Sequence, residues 1–273
     1  MTVNEPPMRI RNSLRPAVAL LGITLAASLP VRGAVVNLNP TADAFVTTGP
    51  ANNLATNNYG GAGALAVSAA GSSQGEFQSV MRFDTSGAKS SFDSLYGAGL
   101  WSVQSVTLQL SAAAPNNAIF NANNAGSFEL TWMQNDGWTE GTGNPNTPGT
   151  GGITYSALQS TFINPGVDEA LGTFSHDGSS SGTFIYTLSP SSGLVTDLLA
   201  GDLVSLRLSA ADTTVSYFFD SRSFGTAADR PLLSITAAPE PGTVSLLVLG
   251  GLLCMIRERT QPRRRRGAIH DAA

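Results

Sequence analysis

Along the chain, Val106, Leu108 and Leu110 alternate with Thr107, Gln109 and Ser111, while Phe184, Tyr186 and Leu188 alternate with Ile185 and Thr187. Alternation with period two sends successive side chains to opposite faces, the mark of half-buried antiparallel strands. The same reading predicts strands at Ala44 to Thr47, Leu65 to Ser68, Phe77 to Phe83, Phe128 to Met133, Leu203 to Ser209, Val215 to Asp220 and Leu232 to Thr236. Clusters of Gly, Asn, Ser or Pro separate them. One stretch follows a helical period: Leu194, Val195, Leu198 and Leu199 share a face, Ser192 caps it and Gly201 ends it. Many short strands without helical crossovers predict an all-β fold, a jelly-roll-like antiparallel β-sandwich with that helix closing one edge or end.

Both ends of the chain depart from this pattern. Met8 to Arg15 is basic, Pro16 to Leu29 is almost wholly apolar, and Val31-Arg32-Gly33-Ala34 supplies small residues for a cut. That order predicts a cleaved secretory signal over residues 1–33, the alternative being an uncleaved anchor. The apolar run is short of the ~20 residues of a spanning helix, which favours cleavage. At the other end, Ala238-Pro239-Glu240-Pro241 precedes an apolar run from Gly242 to Ile256 and a basic tail with Arg263, Arg264, Arg265 and Arg266 in succession. The prolines end the last strand, the short apolar helix enters the bilayer transiently, and the arginines hold the chain end on the cytoplasmic side. Residues 267–273 read as a disordered tail. The alternative is an ordinary tail anchor.

The tripeptide, apolar helix and arginine cluster over residues 238–266 together resemble the PEP-CTERM sorting signal of Gram-negative, exopolysaccharide-producing bacteria. The resemblance implies recognition by an exosortase-type membrane protease and delivery to the cell surface or beyond.

Charge is strongly segregated between these ends and the middle. The chain has 29 glycines and only 12% charged residues. Between Val35 and Ala237 stand five bases against fifteen acids, a net charge near −10. Phosphate binding needs clustered Lys and Arg, so no nucleic acid is expected as a partner. Cation binding gains ground. The single cysteine, Cys254, sits in the apolar part of the tail, so no intrachain disulfide forms.

Candidate chemistry is sparse. His176, in Ser175-His176-Asp177-Gly178-Ser179, reads as part of a turn, and sequence neighbours do not reach triad geometry. Asp136 and Glu140 bracket Trp138 in the long irregular stretch Asn135 to Thr154. Trp138 there either forms a sugar platform or plugs the sandwich end while Glu140 ties the loop down. Asp43, the Asn57-Asn58 loop, with Asn57 foremost, and Asp220 are candidate calcium ligands, on the expectation that first and last strands lie side by side, although no contiguous Asp-x-Asp-x-Asp loop is present. Arg82 and Arg222 are expected to pair with acids such as Asp84 and Asp220, or else to recognise an acidic polysaccharide. Gly60-Gly61-Ala62-Gly63 is a flexible turn and no dinucleotide fingerprint. Trp101, Phe128 and Trp132 are most simply core.

Residues 35–237 also resemble DNRLRE-type domains, relatives of the carbohydrate-binding jelly rolls. The likeness is carried by Ala42-Asp43-Ala44-Phe45-Val46, Asn57-Asn58-Tyr59-Gly60, Ser79-Val80-Met81-Arg82-Phe83-Asp84, Gly137-Trp138-Thr139-Glu140-Gly141, Phe219-Asp220-Ser221-Arg222 and Arg230-Pro231-Leu232-Leu233. It implies a secreted β-sandwich found beside polysaccharide-active modules, with glycan binding in some relatives. The leading expectation is a non-enzymatic, exosortase-processed surface or matrix protein associated with extracellular polysaccharide or biofilm. Second comes a carbohydrate-binding module using Trp138 and the 135–154 loop, and third a polysaccharide-degrading enzyme.

Overall fold

The computed structural model describes residues 33–240; the predicted signal, Pro241 and the Arg263 to Arg266 cluster lie outside the described residues. Eleven strands form among the described residues, in two antiparallel sheets. The smaller has the order β1 (Ala34–Leu38), β11 (Leu232–Pro239), β5 (Trp101–Ser111), β8 (Thr183–Leu188). The larger has the order β10 (Ser216–Asp220), β3 (Ala64–Ser68), β4 (Phe77–Asp84), β9 (Leu203–Ala210), β6 (Gly126–Met133), β7 (Glu169–His176), with β2 (Ala42–Thr47) also paired to β4. Val106, Leu108, Leu110, Leu233 and Ile235 of the first sheet share one core with Met81, Phe83, Phe128, Leu130, Leu206 and Leu208 of the second, making an antiparallel β-sandwich. Trp101, Phe128 and Trp132 lie in that core.

Alternation describes the smaller sheet well, and β5 and β8 keep Thr107, Gln109 and Ile185 facing outward. It fails on part of the larger one. Strands β2, β3 and β10 are buried on both faces, because further apolar clusters cover the outer side. One gathers Ala44, Val46, Val80, Met133, Trp138, Ile153 and Leu158; the other gathers Phe45, Tyr59, Phe77, Phe120 and Phe218.

Two helices of eight residues or more are present among the described residues. Helix α1 (Ser86–Tyr96) was not expected, since its run of Ser and Gly has low helical propensity. Tertiary packing makes it: Ala88 and Phe92 are buried one turn apart, the Phe92 ring lies 4.9 Å from that of Trp101, and Asp93 accepts the Trp101 Nε1–H at 2.8 Å. Helix α2 (Ser192–Ala200) matches the predicted one except at its start. Ser191, not Ser192, is the cap, its Oγ accepting the Leu194 N–H, and Gly201 closes the helix in the left-handed conformation at φ 77°. No helix among the described residues is long and apolar enough to cross a membrane.

Strand β1 lies antiparallel to β11, with Ala34 opposite Ala237. The Tyr96 hydroxyl ties the two together, accepting from Ala34 N at 2.8 Å and donating to the Ala237 carbonyl at 3.2 Å. Strand β11 runs on to Pro239, paired with Trp101, so the first proline of the tail ends the sheet and the exposed Glu240 follows it directly.

Candidate functional site

The 135–154 loop is fastened to the sandwich from within. Asn58, fully buried, donates from Nδ2 to the carbonyls of Glu140 and Ile153, both at 2.7 Å, and accepts at Oδ1 from the N–H of Gly60 (3.3 Å) and Gly143 (3.1 Å). Its backbone also pairs with Gly149. The loop's glycines permit this approach: a Cβ on Gly143 would stand 2.0 Å from the Asn58 carbonyl oxygen. Asn57, the neighbour expected to bind metal, instead donates to the Tyr59 hydroxyl at 3.2 Å.

Trp138 is 1% exposed, and its Nε1–H donates to the buried Ser205 hydroxyl at 2.9 Å. A stacking platform needs an open ring face, so the sugar-platform reading of Trp138 is corrected: the ring is packed in the apolar cluster on the outer side of the larger sheet, beneath the long loop. Arg82 lies over the ring, its Cζ 5.0 Å from the centroid, and donates to the carbonyls of Asp136 (2.8 Å) and Trp138 (2.7 Å). The expected Arg82–Asp84 pair is absent, since Asp84 turns to the Ser86 N–H at the start of α1. Burial pushes the Asp136 carboxyl up to about 6.

Glu140 ties the loop in a second way, through an ion pair with Arg222. Arg222 takes Glu140 where Asp220 was expected, and its backbone N–H donates to Asp43 Oδ2 at 2.6 Å. Burial, with Glu140 close by, pushes Asp43 up to about 7 against the opposing pull of Arg222. Asp43, Glu140 and Arg222 thus form a brace between β2, the long loop and the chain leaving β10.

Asp43 is held by the Arg222 N–H and Asn57 by the Tyr59 hydroxyl, while no hydrogen bond among the described residues joins Asp220 to either. Among the described residues no three His, Cys, Asp or Glu side chains gather as a metal site. Strand β10 pairs with β3 and β2 with β4; the adjacent outer pair is β1 with β11. His176 is no turn residue but the buried end of β7, its ring 3.9 Å from that of Tyr217 and 4.5 Å from that of Phe184. Nδ1 accepts the Gly178 N–H at 3.0 Å, Nε2 has no partner among the described residues, and burial holds the group below its ordinary pKa.

Asp220, by contrast, lines an open cleft. The cleft holds about 530 Å³ between the end of β5, the turn before β8 and the segment leaving β10. Phe218 and Asp220, two apart on β10, project to the same side, with the small residues Ala62, Gly63 and Ala112 to Ala114 beneath them. Phe224 forms an outer wall and is 37% exposed. That wall is braced: Arg230 Nε donates to the Phe224 carbonyl at 2.7 Å, and Gln109 Nε2 to that of Ala228 at 3.1 Å.

Asp220 is 7% exposed, and among the described residues nothing hydrogen-bonds its carboxylate. Burial first, then the nearby Asp229 charge, pushes it up to about 6. A folded-state pKa above the unfolded value means stability that is full below the unfolded value near 3.8 and lost as pH rises through about 6. Asp220→Asn is accordingly expected to raise the melting temperature at pH 7 and to change it little at pH 4. A calorimetric scan that finds Asn destabilising at pH 7 would show that the carboxylate has a partner.

Sequence reasoning singled out Asn58 with Asn57 as a calcium candidate but not as the anchor of the long loop, and it missed Asp229 and Phe224, which nothing short of the folded chain brings to the cleft. No protein-family model matches the chain, and neither does any curated protein.

Proposed function

We propose that the protein is an exported, non-enzymatic surface protein that holds extracellular polysaccharide in the Asp220 cleft, its tail serving as substrate for an exosortase-type membrane protease. The observation that carries the binding reading is the cleft itself: a carboxylate with no hydrogen-bond partner among the described residues, a half-exposed aromatic wall and an apolar floor of small residues, the combination that suits a ring with polar edges and an apolar face. The jelly-roll likeness of the domain is consistent with this use. For export, support comes from the order of Pro-Glu-Pro, apolar run and arginines, and from Glu240 standing exposed immediately after β11.

Retention of the protein, purified from the envelope of expressing cells, on a panel of neutral, amino and acidic polysaccharides tests the binding reading. Retention that falls at least tenfold in Phe224→Ala is expected, and none on any glycan overturns it. Mass spectrometry of the termini in the producing cell tests the export reading: residues 263–266 should be missing from the mature chain, and their presence overturns processing.

A second reading, hydrolysis of the bound polysaccharide, is favoured by one observation, a carboxyl held up to about 6 beside a second carboxylate. New reducing ends that appear with the wild type and not with Asp220→Asn would replace the non-enzymatic reading with this one.

A further inference from the structure

We propose that the cleft selects an amine-bearing glycan, a hexosamine polymer with free amino groups, whose ammonium lies between Asp220 and Asp229 while its ring packs on Phe224. The inference rests on the glycan-binding reading above and narrows it to one ligand class.

Asp220 is the reason. Asp220 is 7% exposed in the wall of the cleft, no hydrogen bond among the described residues holds its carboxylate, and both partial desolvation and the like charge of Asp229 disfavour its ionised form. A cation placed between the two relieves both costs. Among the described residues lining the cleft there are these two acids and no Lys, Arg or His, so uronate or sulfate groups would be repelled. The surrounding domain, with five bases against fifteen acids, steers cationic polymers toward it in the same sense.

An organic cation fits better than a metal ion. Calcium requires six to eight oxygens at about 2.3–2.6 Å, and the cleft brings two carboxylates into about 530 Å³, room for a sugar residue or two. The apolar floor and Phe224 suit the C–H face of a pyranose, and Ser180, Ser181 and Asn116 at the rim offer partners for its hydroxyls.

Isothermal titration of the envelope-purified protein with four probes tests this: a glucosamine tetramer, its fully N-acetylated counterpart, a galacturonate tetramer and calcium chloride. The glucosamine tetramer is expected to bind at least tenfold more tightly than the acetylated one, with no heat from galacturonate. Asp220→Asn and Asp229→Asn should each weaken it at least tenfold, with melting temperatures at or above that of the wild type to show that both variants fold. Equal affinity for the acetylated and free-amine tetramers would overturn amine selection and leave glycan binding standing. Asp220-dependent calcium heat in place of tetramer binding would overturn it in favour of a metal site. Unchanged affinity in both variants would overturn the cleft as the location, and absence of binding by every glycan would overturn the glycan reading with it.

Discussion

Asn58→Ala is expected to destabilise the protein by about 4 kcal/mol and to expose the 141–152 segment to protease. The side chain satisfies four backbone groups at once, the carbonyls of Glu140 and Ile153 and the N–H groups of Gly60 and Gly143. A buried polar group left without a partner costs roughly 1–3 kcal/mol, and water can reach only some of the four. Asn58→Asp separates this account from simple cavity formation. It keeps the volume and the acceptor oxygen but loses both donors and sets a carboxyl against two carbonyl oxygens, so it should be nearly as harmful as Ala. Equilibrium denaturation is the measurement, and a loss below about 1 kcal/mol for Ala would mean that the loop is anchored elsewhere.

The second large effect is Trp138→Ala, expected to cost about 3–5 kcal/mol through the cavity it leaves. Trp138 stands against Ser205 and beneath Arg82, and Arg82 in turn holds the carbonyls of Asp136 and Trp138. The substitution thus loosens the start of the same loop. Glycan retention per folded molecule should be unchanged. Trp138→Phe, which keeps an aromatic ring and loses the hydrogen bond to Ser205, should cost about 1–2 kcal/mol. A glycan affinity that falls in Trp138→Phe while stability holds would restore the tryptophan as a binding residue.

Much of the sandwich was legible because the strands of the smaller sheet bury one face and wet the other. Strand β7 escaped notice because its Gly172 adopts φ 147° beside a register shift between Leu130 and Thr131, which disrupts the alternation of Glu169 to His176. Helix α1 escaped because its stability comes from Phe92 meeting Trp101, not from its own residues. The acids told a similar story. Asp43, Glu140 and Asp220 stood out as chemically able, yet sequence offers no way to see that Arg222 takes the first two and leaves the third. Which carboxylate stays free is decided by contacts spanning 179 residues between Asp43 and Arg222.

Strand β5 has its first residue, Trp101, opposite Pro239, where the chain leaves the sheet, and its last, Ser111, at the cleft. Its 11 residues, at ~3.3 Å each, separate the two by roughly 33 Å. Any attachment made through Pro239 therefore leaves the cleft at the distal pole, with β5 acting as a spacer. Under the proposed function, that spacing separates the glycan cleft from the point of attachment.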